Sequence, residues 1–138
     1  MTDIDILSAL NNQLQDFLVV NPMDVAYPNV AYSPTRGTEY LEVDILPAST
    51  VSAAVGIGAC TRNIGIYQIL VRVAPKKSFS EVKPIVDNLK TYFKMGTSIL
   101  YNGVSVRVTK FKVEPAMEDH GWFVQPISVY YRSDLENV

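Results

Sequence analysis

The amino-acid sequence predicts an α+β fold in which two helices pack on one face of a mainly antiparallel mixed sheet. Three observations support this class: a long β-branched strand at residues 62–74, two segments with helical spacing of apolar residues, and an Asn-Gly hairpin signal at residues 99–104. The elements are expected in the order α-β-β-β-α-β-β-β. A length of 138 residues suits one domain over 1–138, large enough to bury roughly two-thirds of its unfolded surface.

Residues 62–74 form the strand around which the other elements are arranged. Apolar side chains occupy both of its faces: Tyr67, Ile69, Val71 and Val73 lie on one, and Ile64, Ile66 and Leu70 lie on the other with Gln68 and Arg72. A strand of this kind is expected inside a sheet, with both faces covered. The second helix can cover the Tyr67 face, and an oligomer partner is one candidate for the other.

The two helices have clear boundaries in the sequence. The first is expected to end at Asn21-Pro22, because proline cannot continue the helix. The second runs from about residue 78 to residue 93, with apolar residues along one side. We expect its cap at Ser80, because Pro84 then falls at the end of the first turn, where proline is tolerated.

The remaining strands are predicted from alternation and turn signals. A short strand is expected at residues 23–27 and a longer one at 38–46, whose polar face carries Glu42 and Asp44. After the hairpin, the apolar pattern changes face, which predicts a β-bulge near Thr109 or Lys110.

The last strand is expected over residues 121–132. Pro126 lacks an N–H donor, so we expect this strand at a sheet edge or at a bulge. Residues 133–138 have the polar character of a frayed tail.

The segment at about 47–61 is predicted to project as a hairpin arm or loop. It contains no charged residue, although apolar side chains still alternate along it. A plain surface loop is the simpler interpretation, but a charge-free segment left in water promotes association. We therefore expect a buried contact in an assembly. The candidate interface comprises three residues of the arm and three polar residues close to it: Val51, Val55, Ile57, Arg62, Glu42 and Asp44.

Composition excludes several classes of protein. The formal net charge is -2 and no basic run exceeds Lys76-Lys77, so the usual electrostatic footprint of a nucleic-acid-binding protein is missing. Cys60 is the single cysteine, so an intrachain disulfide cannot form. The N-terminal segment is acidic where a secretory signal is basic, and the uncharged run at 45–61 is too mixed to span a bilayer. We expect a soluble protein with no membrane partner.

No catalytic constellation is visible in the sequence. His120 is the only histidine, and it follows Glu118 and Asp119 in what reads as an exposed turn. These residues could hold a metal or act in acid-base chemistry, although the same residue types are common in an ordinary polar turn. The segment Gly56-Ile57-Gly58 lacks the third glycine and the strand-to-helix context of a dinucleotide-binding loop. We expect no enzyme activity, no catalytic or metal-binding residue and no cofactor.

Four stretches, taken in order, resemble the tail terminator (tail completion) proteins of long-tailed bacteriophages. They are Tyr27-Pro28-Asn29-Val30, the run from Tyr40-Leu41-Glu42-Val43 to Leu46-Pro47, Gly65-Ile66-Tyr67-Gln68, and the closing Trp122 to Arg132 segment. The resemblance covers nearly the whole chain. It implies a hexameric ring at the head-proximal end of the tail tube that stops tube polymerisation and presents a surface for head attachment.

The same resemblance implies the partners and the location. The partners are further copies of the chain, the tail tube protein and a head-tail connector or neck protein, and DNA passes through the lumen without specific binding. The protein is then a virion component that assembles in the host cytoplasm. Two alternatives remain: a neck or connector subunit, and a small α+β enzyme or ligand-binding domain that uses His120 with Glu118 or Asp119.

Overall fold

The computed structural model describes residues 3–27, 39–47, 51–52, 60–73, 79–101, 103–119 and 122–136. Two α-helices and eight strands occur in this part of the chain: α1 (Asp3–Val20), β1 (Asp24–Ala26), β2 (Tyr40–Pro47), β3 (Val51–Ser52), β4 (Cys60–Val73), α2 (Phe79–Phe93), β5 (Ser98–Tyr101), β6 (Val104–Val113), β7 (Met117–Asp119) and β8 (Trp122–Glu136). The predicted α+β class is confirmed, and the short strands β3 and β7 are additions to the predicted elements.

All eight strands join one sheet. The main order is β1-β2-β4-β8-β6-β5, with β3 paired to β4 and β7 paired to β8. Only β1 and β2 run parallel; the other pairs are antiparallel. The predicted central strand is therefore β4, which lies between β2 and β8.

The hydrophobic core lies between the two helices and one face of the sheet. From β4 it takes Tyr67, Ile69, Val71 and Val73, all with no exposed surface. Phe17 of α1 meets Tyr92 of α2 edge to face at 5.9 Å between ring centroids, so the helices also pack against each other. Each large apolar side chain buried in this way contributes roughly 1.5–3 kcal/mol, which makes the layer the main source of stability.

The predicted end of α1 is confirmed, but the predicted N-terminal cap of α2 is not. α1 ends at Val20, as predicted, and the Asn21 N–H donates to the carbonyl of Phe17 at 2.9 Å. α2 begins at Phe79, so the expected cap at Ser80 is wrong, because Ser80 lies within the helix. Pro84 is then the sixth helical residue, and it is exposed.

The predicted bulge is confirmed. The register between β6 and β8 shifts between Val108 and Lys110, and the extra residue, Thr109, donates its hydroxyl to the carbonyl of Tyr130 at 3.3 Å. As a result Phe111 faces the core, while Lys110 and Lys112 lie on the opposite face.

The expected frayed tail is wrong for residues 133–136. β8 continues to Glu136 because the first residues of β4, from Cys60 to Asn63, provide a pairing partner. Ser133 is 1% exposed, and its hydroxyl donates to the carbonyl of Ser105 at 2.7 Å. A polar sequence at the end of the chain thus completes the central ladder.

Pro126 does not place β8 at an edge, because β8 lies between β4 and β6. The carbonyl of Pro126 accepts the N–H of Glu114 at 3.0 Å, so the missing N–H of Pro126 also faces Glu114. The buried side chain of Gln125 replaces that donor: its Nε2 donates to the carbonyls of Glu114 at 2.5 Å and Pro126 at 3.1 Å. Proline is accepted inside the sheet because its neighbour supplies the missing hydrogen bond.

Gln125→Met is expected to lower the free energy of unfolding by about 1–3 kcal/mol, because the Glu114 carbonyl loses its donor. Pro126→Ala restores a backbone N–H at this position, so the double variant should lose less than the sum of the single losses. Urea unfolding of the four proteins measures this coupling. Gln68→Met, at a half-buried position outside the core, is the matched control. Strictly additive losses would contradict the conclusion that the Gln125 side chain replaces the N–H donor that Pro126 lacks.

The only core tyrosine of β4, Tyr67, is held in its neutral form. Its hydroxyl donates to Asn11 Oδ1 at 2.6 Å. Burial raises the pKa of Tyr67 well above its ordinary value of 10.0, with a smaller electrostatic contribution from Tyr27. The unfolded chain therefore releases this proton at a lower pH than the folded protein does. The contribution to stability is present below pH 10 and is lost as the pH rises above it.

Tyr67→Phe is expected to weaken the alkaline loss of stability. One tyrosine adds a slope of up to about 1.4 kcal/mol per pH unit above its unfolded pKa, and the variant lacks this proton. Near neutral pH the variant should be less stable by roughly 1 kcal/mol, because Asn11 loses its hydrogen bond. Urea unfolding at a series of pH values from neutral to alkaline tests both effects. If the stability of the two proteins fell in parallel as the pH rises, a group other than Tyr67 would cause the alkaline loss of stability.

Candidate assembly surface

The sheet has a second face, opposite the helices, which is the candidate site. Strand alternation and the pairing register place on it the even-numbered residues of β2, β4 and β8, together with Lys110 and Lys112 of β6. One row across the strands reads Leu46, Ile66, Tyr130 and Lys110, and the next reads Asp44, Gln68, Ser128 and Lys112. The first row is therefore apolar on β2 and β4, continues with the Tyr130 ring on β8 and ends in a lysine on β6, whereas the next row is polar on all four strands.

The two ends of the second face differ in burial. At one end Val124 is 1% exposed, and the Tyr40 and Trp122 rings meet edge to face at 5.3 Å. At the other end Leu46 is 47% exposed, and Tyr130 is only half-buried. The accessible apolar surface is thus concentrated at the Leu46 end.

A groove of about 600 Å³ lies at this accessible end. Its apolar lining comes from Leu46, Ile64, Ile66 and Tyr130, and it also contacts Arg62, Gly65, Thr109, Tyr131 and Arg132. Apolar side chains that remain partly in water favour a docking partner. The groove can bind an apolar segment within a basic rim.

Gly65 keeps β2, β4 and β8 close at the groove. A Cβ at this position would lie 2.5 Å from the Tyr131 hydroxyl oxygen and 2.8 Å from the carbonyl oxygen of Leu46. Tyr131 is the direct partner of Gly65 in β8, and its side chain is 2% exposed. The tyrosine ring therefore uses the space that any larger residue at position 65 would need.

The structure places the predicted interface residues in two groups. Val51 is paired with Arg62 in the ladder between β3 and β4, and Arg62 lines the groove. Glu42 and Asp44 lie on β2, where Asp44 is paired with Gln68, six residues along β4 from Arg62, a distance of roughly 20 Å. Val55 and Ile57 lie outside the described residues, so the arm itself stays a prediction.

The two acidic residues of β2 differ in their contacts. Glu42 Oε2 lies 2.7 Å from Arg72 Nε, and the arginine side chain is only 13% exposed. This ion pair belongs to the fold, because the guanidinium group is mostly buried. Asp44 is exposed, and its Oδ1 accepts the N–H of Ile45 at 2.8 Å. Asp44 thus presents a carboxylate in a fixed orientation near the sheet edge.

Several residues of this surface were not predicted as site residues. Ile64 and Ile66 could be assigned to the second face from alternation alone. Leu46, Tyr130 and Arg132 could not, because only the pairing register brings three distant strands to one groove. The sequence feature that indicated this surface was the apolar character of both faces of β4.

Two kinds of feature, metal-binding clusters and membrane-spanning helices, are not found in the described ranges. They contain no group of three or more His, Cys, Asp or Glu side chains that could hold a metal. His120 lies outside the described residues, and Glu118 is exposed. No described helix is long and apolar enough to cross a membrane.

A small α+β domain with one helix-covered sheet face and a partly exposed apolar groove on the other is typical of a subunit in a larger assembly. The family model for phage tail terminator protein matches residues 5–131. The chain belongs to this family, and it is a structural protein of the phage tail and a component of the virion.

Known structures share the fold. One solved structure superposes with a TM-score of 0.76 at 21% sequence identity, over 96% of this chain and 96% of that chain. A chain from the virion of a native gene transfer agent particle superposes with a TM-score of 0.55 at 15% identity, over 94% of this chain and 93% of that chain. No curated protein matches the sequence.

Gly65→Ala is expected to destabilise the protein by about 1–3 kcal/mol, because the added methyl group overlaps Tyr131 and the backbone of Leu46. This outweighs the roughly 0.4–1 kcal/mol that a Gly to Ala change contributes by restricting the unfolded chain. In a Tyr131→Phe background the loss should be smaller, since the nearest contacting atom is gone. Urea unfolding measures both losses. Equal losses in the two backgrounds would show that the tyrosine hydroxyl does not limit this position.

Proposed function

We propose that the protein is the ring-forming tail terminator that caps the tail tube, stops its polymerisation and provides the surface for head attachment. The ring is a hexamer at the head-proximal end of the tail, and it assembles in the host cytoplasm. Membership in the tail terminator family supports this role. In this role the chain is structural and has no catalytic residue or cofactor.

The observation that carries the proposal is the accessible apolar groove on the second face. A monomer would leave the groove residues Leu46, Ile64, Ile66 and Tyr130 partly in water. Contact with another chain would remove this surface from water, at roughly 25 cal/mol per Å² of apolar area. A ring gives every subunit such a contact, because closed cyclic symmetry satisfies the same surface in each copy.

We further propose that the arm at about 47–61 takes part in the contacts of the ring. β3 pairs with the first residues of β4, next to the groove residue Arg62. The uncharged segment between them therefore starts and ends near an apolar surface. Val51, Val55 and Ile57 are the apolar interface residues in this proposal, and Arg62, Glu42 and Asp44 are the polar ones.

The partners of the ring are the tail tube protein on one side and the connector or neck protein on the other. DNA passes through the lumen without specific binding. The net charge of -2 agrees with this, because the chain lacks the excess of positive charge that would hold the phosphate backbone.

Deletion of residues 49–58, with a short Gly-Ser linker in their place, is expected to abolish ring assembly while the domain stays folded. The wild-type protein should form rings of about six subunits, seen by light scattering and electron microscopy, and should stop the growth of purified tail tubes. Lys90→Ala, on the exposed side of α2, is the control that keeps the arm. Normal rings from the deletion variant would exclude a role of the arm in ring assembly. Tail tubes that grow unchanged in the presence of the wild-type protein would contradict the terminator role.

A further inference from the structure

On the second face, the β2 side and the β6 side of the sheet carry opposite charges. Asp44 lies on β2 near one edge, and Lys112 lies on β6 at the other end of the same row, with Gln68 and Ser128 between them. Lys110 of β6 ends the adjacent row. The face therefore runs from an acidic side to a basic side across four strands.

Asp44 is the carboxylate that the acidic side offers to a partner. Glu42, its neighbour on the same face, is held by Arg72 at 2.7 Å. No ion pair joins Asp44 to another of the described residues, and the Ile45 N–H occupies only one of its acceptor positions. The group is exposed and oriented, so it can bind a cation on another chain without first breaking an internal ion pair.

The basic side contains two arginines that face each other across a strand pair. Arg107 lies directly opposite Arg132 in the ladder between β6 and β8. Both arginines, with Ser98 and Ser105, line a pocket of about 220 Å³. Guanidinium and hydroxyl groups in one pocket are suitable donors for a carboxylate.

Neither Arg107 nor Lys110 is neutralised by a carboxylate within the described residues. Arg107 is exposed and makes no ion pair there, and Lys110 lies over the Tyr130 ring at 5.5 Å from its centroid. By contrast, Lys112 has Glu114 at 3.6 Å. Arg107 and Lys110 are therefore the cations on this side that can bind a carboxylate of another chain without first breaking an ion pair to a described residue.

We propose that the acidic β2 side of one copy docks on the basic β6 side of the next, with Asp44 as the carboxylate bound near Arg107 and Lys110. The occupant is a second copy because the chain itself carries both complementary surfaces. The contact joins two different surfaces, so successive copies associate head to tail, and such a contact closes into a ring when the rotation between copies allows it. This inference rests on the proposed ring and names the contact that builds it.

Charge reversal tests the docking. One variant is Asp44→Lys, and the other combines Arg107→Glu with Lys110→Glu. Each variant alone places like charges at every contact, so its association constant should fall by about tenfold or more at low salt. Light scattering and electron microscopy provide the readout.

An equal mixture of the two variants should assemble as the wild type does. In a ring that alternates them, the lysine introduced in one variant meets the glutamates introduced in the other. At the remaining contacts Asp44 of the second variant meets Arg107 and Lys110 of the first. Opposite charges therefore face each other at every contact, and a mixture that fails to assemble would contradict the proposed pairing.

Asp16→Lys and Lys90→Glu are the matched controls, since they reverse exposed charges on the helices. Rings that form equally well in all variants would overturn the docking and leave the terminator role intact. Association that depends on these charges but yields only open chains would support the docking and contradict the ring. A wild-type chain that stays monomeric at low and high salt would overturn the docking.

Discussion

The ladder between β4 and β8 is the interaction on which the rest of the structure depends. All fourteen residues of β4 pair with β8, from Cys60 opposite Glu136 to Val73 opposite Phe123. β2 and β6 are then added on the two sides of this pair, and both helices pack across the resulting sheet. Since α2, β5, β6 and β7 all lie between the two central strands in the sequence, the ladder closes the segment that contains them and limits where each can lie.

The central strand has a different role on each of its two faces. Its odd-numbered residues from Tyr67 to Val73 belong to the helix-covered core, while Ile64 and Ile66 are left half-buried on the other side. Complete burial of both faces within one small chain would need a third layer. A partner chain can supply that layer, which links the stability of the sheet to the assembly we propose.

The sequence was sufficient for features that depend on nearby residues. Alternation identified β4, and the Asn-Gly hairpin and the bulge after Val108 followed from short-range patterns. It was insufficient where a distant residue decides the outcome. Pro126 is tolerated inside the sheet because Gln125 bonds to Glu114, and residues 133–136 are ordered as strand because β4 extends back to Cys60. On the candidate surface, Asp44 and Glu42 read alike in the sequence, yet one is exposed and the other is held by an arginine thirty residues away.

The bulge at Thr109 determines which side of β6 reaches the helices. Before it, Val106 and Val108 face the core; after it, Phe111 returns to the core and Lys110 stays outside. A strand that ran through the same residues without a bulge would exchange the two faces beyond Thr109, turning lysines towards the helices and the phenylalanine towards water. Removal of the one extra residue restores regular alternation and leaves both faces as they are. Thr109 is therefore the point in β6 where a related chain can lose a residue, and a deletion elsewhere in the strand would have to be compensated there.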